Sequence, residues 1–160
     1  MKQPAVERVR AALAAAGVDT EVVEFVESTR TAAEAAAAIG TTVERIVKSL
    51  VFLAGDEPIL VLASGVNRVD TRKLAQVTGR PVKRADADQA RAATGYVIGG
   101  TPPIGHPAPL PTYIDADLLA YDVVWAAAGT PNAVFSITPD ELLRITGGQV
   151  LDLRVDNAAS

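Results

Sequence analysis

The spacing of apolar positions changes period several times along the chain. Val6, Val9, Leu13 and Ala16 recur every three or four residues and Gly17 follows, which predicts a first helix. Glu21 to Val26, carrying Val22, Val23, Phe25 and Val26, reads as a strand. Thr31 and Glu34 then form a Thr-x-x-Glu capping box ahead of an alanine run ending at Gly40, and Thr41 with Glu44 repeats the box before Ile46. Ile46 to Leu53 is an apolar run of strand length. Ile59 to Ala63 is another after the Gly55-Asp56-Glu57-Pro58 turn, so the two predict a hairpin.

Further on, Asp70 is placed to cap a helix from Thr71 to Val77 that closes at Gly79, and Asp86 with Gln89 opens one that closes at Gly95. Pro81 to Arg84 reads as a short strand between them. From Gly95 to Pro111 there are five prolines and four glycines, a loop composition in which Tyr96 to Ile98 could still pair in a sheet. Strands return at Thr112 to Ile114, Val123 to Ala126 and Ala133 to Ile137. Thr138, Pro139 and Glu141 begin a last helix that Gly147-Gly148 ends, and Val150 to Leu153 reads as a final strand. Strands and helices interleave without the regular rhythm of a doubly wound fold, and short turns join several strands. The class is therefore α/β, of α+β character, with a mixed sheet flanked by helices. The pattern predicts one domain over residues 1–154 and a frayed tail over 155–160.

Composition narrows the chemistry. With 160 residues and 49% hydrophobic content there is ample core. Zero cysteines leave no thiol nucleophile, zinc ribbon or disulfide scaffold, and a single histidine, His106, makes a His-based metal cluster or a Ser-His-Asp triad very hard to assemble. No stretch has the length of a membrane span and the N-terminus has no apolar signal core, which predicts a soluble, cytoplasmic protein without a membrane partner. A net charge of -4 argues against a DNA-coating protein. The local charge differs: Arg68, Arg72, Lys73, Arg80, Lys83, Arg84 and Arg91 stand against three acids, whereas Thr94 to Leu143 contains no Lys or Arg. That stretch is either a polyanion-docking patch or a solvated helix face with both signs mixed.

Two further features carry candidate chemistry. Lys48 lies inside the apolar run Ile46 to Leu53, where its ammonium must either snorkel to the sheet edge or face a cleft that holds an anion; Ser49 points to the opposite face. In Gly99-Gly100-Thr101-Pro102-Pro103-Ile104-Gly105-His106, glycines allow close backbone approach and prolines stiffen the loop, so it is either a structural turn or an anion or carbonyl site. It is neither a P-loop nor a dinucleotide fingerprint. His106 is a candidate general base or an exposed loop residue. Trp125, Phe52 and Phe135 are assigned to packing, and Asp115 and Asp117 to a helix start, where acids favour the dipole.

The strings Arg45-Ile46-Val47-Lys48-Ser49-Leu50, Val69-Asp70-Thr71-Arg72-Lys73-Leu74, Thr94-Gly95-Tyr96-Val97-Ile98-Gly99-Gly100 with Thr101-Pro102-Pro103-Ile104-Gly105, and Leu110-Pro111-Thr112-Tyr113-Ile114-Asp115 occur in this order. So arranged, the chain resembles the YbaK/EbsC family of free-standing aminoacyl-tRNA deacylases, related to the editing insertion of bacterial prolyl-tRNA synthetase, over roughly Val6 to Leu153. The resemblance implies a partly barrelled mixed sheet and hydrolysis of the ester that joins a wrong, small amino acid to transfer RNA. It implies no metal or other cofactor, with a substrate hydroxyl or positioned water as nucleophile. Lys48 and Gly100 are then the catalytic candidates, Lys48 at the terminal adenosine phosphate or the ester. Phe25, Ser49, Gly99, Thr101, Pro103, Ile104, Gly105, His106 and Gly129 are the substrate-binding candidates, the Gly99 to Pro103 loop offering backbone N–H donors. Arg72, Lys73, Lys83 and Arg84 are expected to meet RNA, and an aminoacyl-tRNA synthetase is a possible partner.

Relatives often carry a small polar residue or a Ser-Gly-Gly string where this chain has Ala126-Ala127-Ala128-Gly129-Thr130-Pro131. Two other readings stay open: a tRNA- or nucleotide-binding module of the same fold without catalysis, and a small-molecule esterase using the same loop.

Overall fold

The computed structural model describes residues 4–26 and 31–156. In chain order these form α1 (Ala5–Ala15), β1 (Val22–Glu24), α2 (Ala32–Ile39), β2 (Ile46–Ala54), β3 (Glu57–Ser64), α3 (Thr71–Thr78), β4 (Val82–Arg84), α4 (Ala87–Thr94), β5 (Thr112–Asp115), β6 (Val124–Ala127), β7 (Ala133–Ile137), α5 (Pro139–Thr146) and β8 (Gln149–Leu151). Short 3₁₀ turns occupy Val43–Arg45 and Ala116–Ala120.

Local chemistry sets the helix ends. Thr31 and Glu34, and likewise Asp86 and Gln89, make reciprocal capping boxes, while Asp70 and Thr138 accept from the N–H groups of Arg72 and Glu141. Gly40, Gly79, Gly95 and Gly147 end α2 to α5 in the left-handed conformation, which costs glycine nothing. The second Thr-Glu signature behaves differently. Thr42, not Thr41, precedes the turn at Val43, and it makes no side-chain cap to a turn too short to expose a row of N–H groups.

The sheet has eight strands in the order β1-β7-β6-β2-β3-β5-β8, with β4 paired to β2 off that path. Both parallel and antiparallel pairs occur, as a mixed sheet requires. The sheet does not close into a barrel: among the described residues β1 and β8 end its strand order rather than pairing with each other. Tyr96 to Ile98 joins no strand. Tyr96 is 2% exposed, and its hydroxyl donates to the Gly105 carbonyl at 2.8 Å, so its apolar body is burial at a loop rather than strand pairing. The last strand stops at Leu151, and Leu153 beyond it is fully buried in a second apolar cluster with Leu74, Phe52 and Val61. In the tail, Val155 N–H donates to the Arg68 carbonyl at 2.7 Å, and residues 157–160 lie outside the described part.

The main core lies where α1, α4 and α5 cover one face of the sheet, with Val9, Leu60, Leu62, Ile114, Leu118, Val124 and Phe135 at or near zero exposure. The smaller cluster with Leu74 fills the other face under α3. A third joins α2 to the start of β2 through Ala35, Ala36 and Ile46. Side chains alternate along β2: Val47, Val51 and Leu53 enter the main core, and Phe52 and Ala54 the second.

Candidate active site

The two edges of β2 are used differently. Along one, Val47 to Ala54 pair without interruption with β3. Along the other, β6 pairs only with Ile46 and Val47, and β4 only with Phe52 to Ala54. The Ala85 N–H extends the β4 side to the Val51 carbonyl at 3.1 Å. Between these neighbours, at Lys48 to Val51, the sheet opens.

A cavity of about 470 Å³ occupies the opening. Ala32 and Ala35 of α2, Val43, residues 46–51 of β2, Arg84, Ala85 and Ala90, Ile98, Gly99 and Thr101, Trp125 to Ala127, and Ala133 and Val134 line it. Its wall is mostly small and apolar. Lys48 and Arg84 are the charged residues of the lining, both cationic, and no carboxylate is part of that lining. Two cations bordering a concave surface, one half-buried and one exposed, attract an anion. Ser49 Oγ is buried against this space without a hydrogen-bond partner among the described residues.

Lys48 is half-buried, and its Nζ donates to the main-chain carbonyl of Asn67 at 2.5 Å. Its pKa lies below the ordinary lysine value, chiefly because burial penalises the charge and secondly because Arg84 repels it; Asp115 acts in the opposite direction. Asp115 itself is 1% exposed and spends its carboxylate on the Ser64 N–H at 3.0 Å, the Asn67 amide at 2.7 Å and the Asp117 N–H at 3.0 Å. It therefore caps the 3₁₀ turn, as its sequence position predicts. The Arg84 guanidinium lies 5.6 Å from the centre of the Phe52 ring, which steadies a long side chain at the cavity rim.

The glycine loop closes the cavity opposite β2. Gly99 has φ +87° and turns the chain, and the buried Thr101 bonds back to the Val97 carbonyl at 3.2 Å. Gly100 plays a packing part. Its N–H is committed to Val97 at 3.0 Å and its carbonyl to the Gly129 N–H at 2.9 Å, so it offers no donor to a ligand. A Cβ there would stand 2.7 Å from Thr130 Cα. Gly99 and Thr101, which face the cavity, have N–H groups without a partner among the described residues.

Of the residues singled out in the sequence, Lys48, Ser49, Gly99, Thr101 and Arg84 converge on this cavity. Phe25, Pro103, Ile104, Gly105, His106 and Gly129 are not part of its lining. Phe25 continues β1, with its N–H on the Asn132 carbonyl at 2.7 Å. Pro103 is buried and Ile104 packs against the main core. Gly105, with φ +88°, anchors the Tyr96 hydroxyl, and Gly129 lies against the backbone of Ala5. His106 is not an exposed loop residue. Its Nε2 is 2.9 Å from the Pro102 carbonyl and its ring meets Tyr96 edge-on, while burial lowers its pKa, partly opposed by the Pro102 bond. It braces the loop from behind.

The basic candidates separate as well. Arg72 projects into solvent, and Lys83 is exposed on β4. Lys73 is tied to Asp152 at 3.2 Å, Asp156 at 3.0 Å and the Arg154 carbonyl at 2.8 Å. Sequence reasoning missed Trp125 as a cavity wall, assigning it to packing alone, and missed Ala85, Ala90 and Ala133 altogether. A lone alanine carries no signal, and the opening arises only from long-range pairing. Among the described residues no three His, Asp or Glu side chains converge into a metal-ligand set, and no helix is long and apolar enough to cross a membrane.

An alanine-walled cavity with a cationic mouth suits a small group carried on an anionic polymer, and comparison with known proteins gives that arrangement a family. The chain belongs to the aminoacyl-tRNA editing domain family, which it matches over residues 26–145. The uncharacterized protein YwhH of Bacillus subtilis (strain 168) is 33% identical over 133 residues, 82% of this chain and 85% of its own. The "Putative Cys-tRNA(Pro)/Cys-tRNA(Cys) deacylase EbsC" of Enterococcus faecalis (strain ATCC 700802 / V583) is 29% identical over 120 residues, covering 74% of this chain and 73% of that one. A solved structure described as "a putative trans-editing enzyme for prolyl tRNA synthetase" has a TM-score of 0.91 at 49% identity, spanning 98% of this chain and 100% of its own.

Proposed function

We propose that this editing domain is a trans-acting deacylase that removes a small amino acid from a mischarged transfer RNA, with the opening beside Lys48 as its active site. The observation that carries the reading is the pairing of two cations with an alanine wall in one cavity. The cations suit the terminal phosphate of the RNA, and the wall suits a short aminoacyl side chain. An oxygen nucleophile, either water or the vicinal ribose hydroxyl, attacks the ester carbonyl. The carbonyl oxygen gains negative charge, the bond to the ribose oxygen breaks, and that oxygen takes the proton given up by the nucleophile. With water the products are free amino acid and uncharged tRNA; attack by the ribose hydroxyl moves the acyl group to that oxygen, from which water then releases it.

Lys48 and the N–H groups of Gly99 and Thr101 are the donors available to the developing oxyanion. Fixed donors of this kind are worth about 2.7–4 kcal/mol each when the site excludes water. Discrimination then follows from size, since a misplaced methylene costs about 1–3 kcal/mol in a close-fitting apolar pocket. The relatives' names support prolyl-tRNA synthetase as the enzyme whose errors are cleared. The test is a panel of mischarged tRNAs incubated with the wild-type protein. Release of small amino acids and sparing of bulky ones is expected, and absence of hydrolysis across the panel, with or without binding, overturns the reading.

A further inference from the structure

Lys48 is held by a neutral group. Its ammonium meets the Asn67 carbonyl, although the buried carboxylate of Asp115 lies close enough to influence its charge. That carboxylate is directed elsewhere: Asp115 Oδ2 accepts from the Asn67 side-chain amide at 2.7 Å, and Asp117 Oδ2 accepts from the same nitrogen at 2.8 Å. A direct Lys48–Asp115 ion pair would cancel the positive charge at the cavity mouth. Interposing an amide keeps that charge available while still fixing its place.

The loop that supplies the carbonyl is secured along its length. The Gly65 N–H donates to Ile46 at 2.8 Å, and no side chain fits at that glycine, because a Cβ would stand 2.3 Å from the Val43 carbonyl. The Asn67 N–H donates to Ser64 at 2.9 Å. Beyond it the C-terminal segment closes over the loop: Asp70 N–H reaches Leu153, Val155 N–H reaches Arg68, and Arg154 Nη1 binds Asp117 at 3.1 Å. Residues 152–156, which make this clasp, lie outside the span matched by the editing-domain family.

We propose that Asn67 is the positioning residue for Lys48: its amide, gripped by Asp115 and Asp117, sets the carbonyl that aims the ammonium into the cavity, and the C-terminal clasp holds that grip. Two of the three ammonium protons stay free for substrate. The charged groups facing Lys48 are Arg84 from β4 and Asp115 from the end of β5, with Asp117 and Arg154 on the far side of Asn67.

The inference rests on the deacylase reading for its kinetic arm only. In Asn67→Ala, kcat on a mischarged tRNA is expected to fall about 10- to 100-fold with KM within about two-fold, as for a group displaced by roughly an ångström. Asp117→Ala falls in the same direction and Asp117→Asn, which keeps an acceptor for the amide, retains most of the activity. The second arm needs no substrate: in NMR of the full chain with labelled lysine, the Lys48 titration midpoint moves up toward the ordinary lysine value in Asn67→Ala, because the freed side chain regains water. If Asn67→Ala fails to fold, Arg154→Ala carries the same readouts with smaller shifts. Unchanged kcat together with an unmoved Lys48 midpoint overturns the positioning role. Wild-type protein that hydrolyses no tRNA overturns the deacylase reading instead, and the NMR arm still decides the role of Asn67.

Discussion

The two edges of β2 divide structure from chemistry within one strand. On the β3 side, pairing runs without interruption from Val47 to Ala54, and Leu60, Val61 and Leu62 are fully buried. On the other side β6 and β4 each pair with one end of the strand, and the interval between them is a walled cavity with Lys48, Ser49 and Arg84 at its border. The continuous edge ties β2 to β3 along its length, while the interrupted edge borders the cavity. The separation predicts that substitutions on the first side act on stability and those on the second on turnover.

The largest expected separation is between Leu62→Ala and Lys48→Ala. Leu62 is fully buried on the continuous side, and its truncation is expected to cost about 2–5 kcal/mol of unfolding free energy, read by denaturant titration. Lys48→Ala is expected to lower kcat about 10²- to 10³-fold with the unfolding midpoint nearly kept, since it removes a charge that burial disfavours. Equal losses of stability in the two variants would erase the distinction. Gly100→Ala comes next. The added Cβ meets the Thr130 backbone, so the loop must shift, and deacylation should fall about 10- to 100-fold while the circular dichroism spectrum is kept.

Lys48 also sets an alkaline limit. Its lowered pKa means that activity requiring the ammonium declines at a pH below the ordinary lysine value of about 10.4, after subtraction of spontaneous ester hydrolysis, and Lys48→Arg should move that decline out of range. The stability effect has the opposite sense. Folding disfavours this proton, so its cost is fully present below the folded-state pKa and disappears as pH rises past the unfolded value. The smallest effect belongs to Arg84→Ala: binding weakens a few-fold, and the salt dependence of log K flattens by about 0.7, the share of one single-strand phosphate.

How far the sequence foretold this molecule depends on the range of the interaction. Helix caps act over three residues, and Thr31, Asp70, Asp86 and Thr138 stood where their spacing placed them. Lys48 was visible because a charge in an apolar run demands a partner. The identity of that partner was not, since Asn67 reaches it through a loop and the carboxylates holding the loop come from the end of β5 and the 3₁₀ turn after it. Strand pairing was left open for Tyr96 to Ile98 because an aromatic in a Pro/Gly segment carries no mark separating burial under a loop from pairing in a sheet. The interrupted edge of β2 depends on where β4 and β6 start and stop against it, a register that neither strand encodes alone. The same long-range pairing explains why Phe25 and Ile104 fell outside the cavity and Ala85, Ala90 and Ala133 fell inside.

The central claim, that the interrupted edge of β2 receives the aminoacyl end of tRNA, is tested most directly by backbone NMR of the full chain titrated with a non-hydrolysable 3′-aminoacylamino-adenosine bearing a small side chain. The account predicts saturable shifts concentrated at residues 47–51, 84–85, 98–101 and 125–127, reduced in Lys48→Ala. Shifts confined to the crevice between α1 and β1, lined by Arg10, Leu13, Thr20 and Glu21, would contradict it.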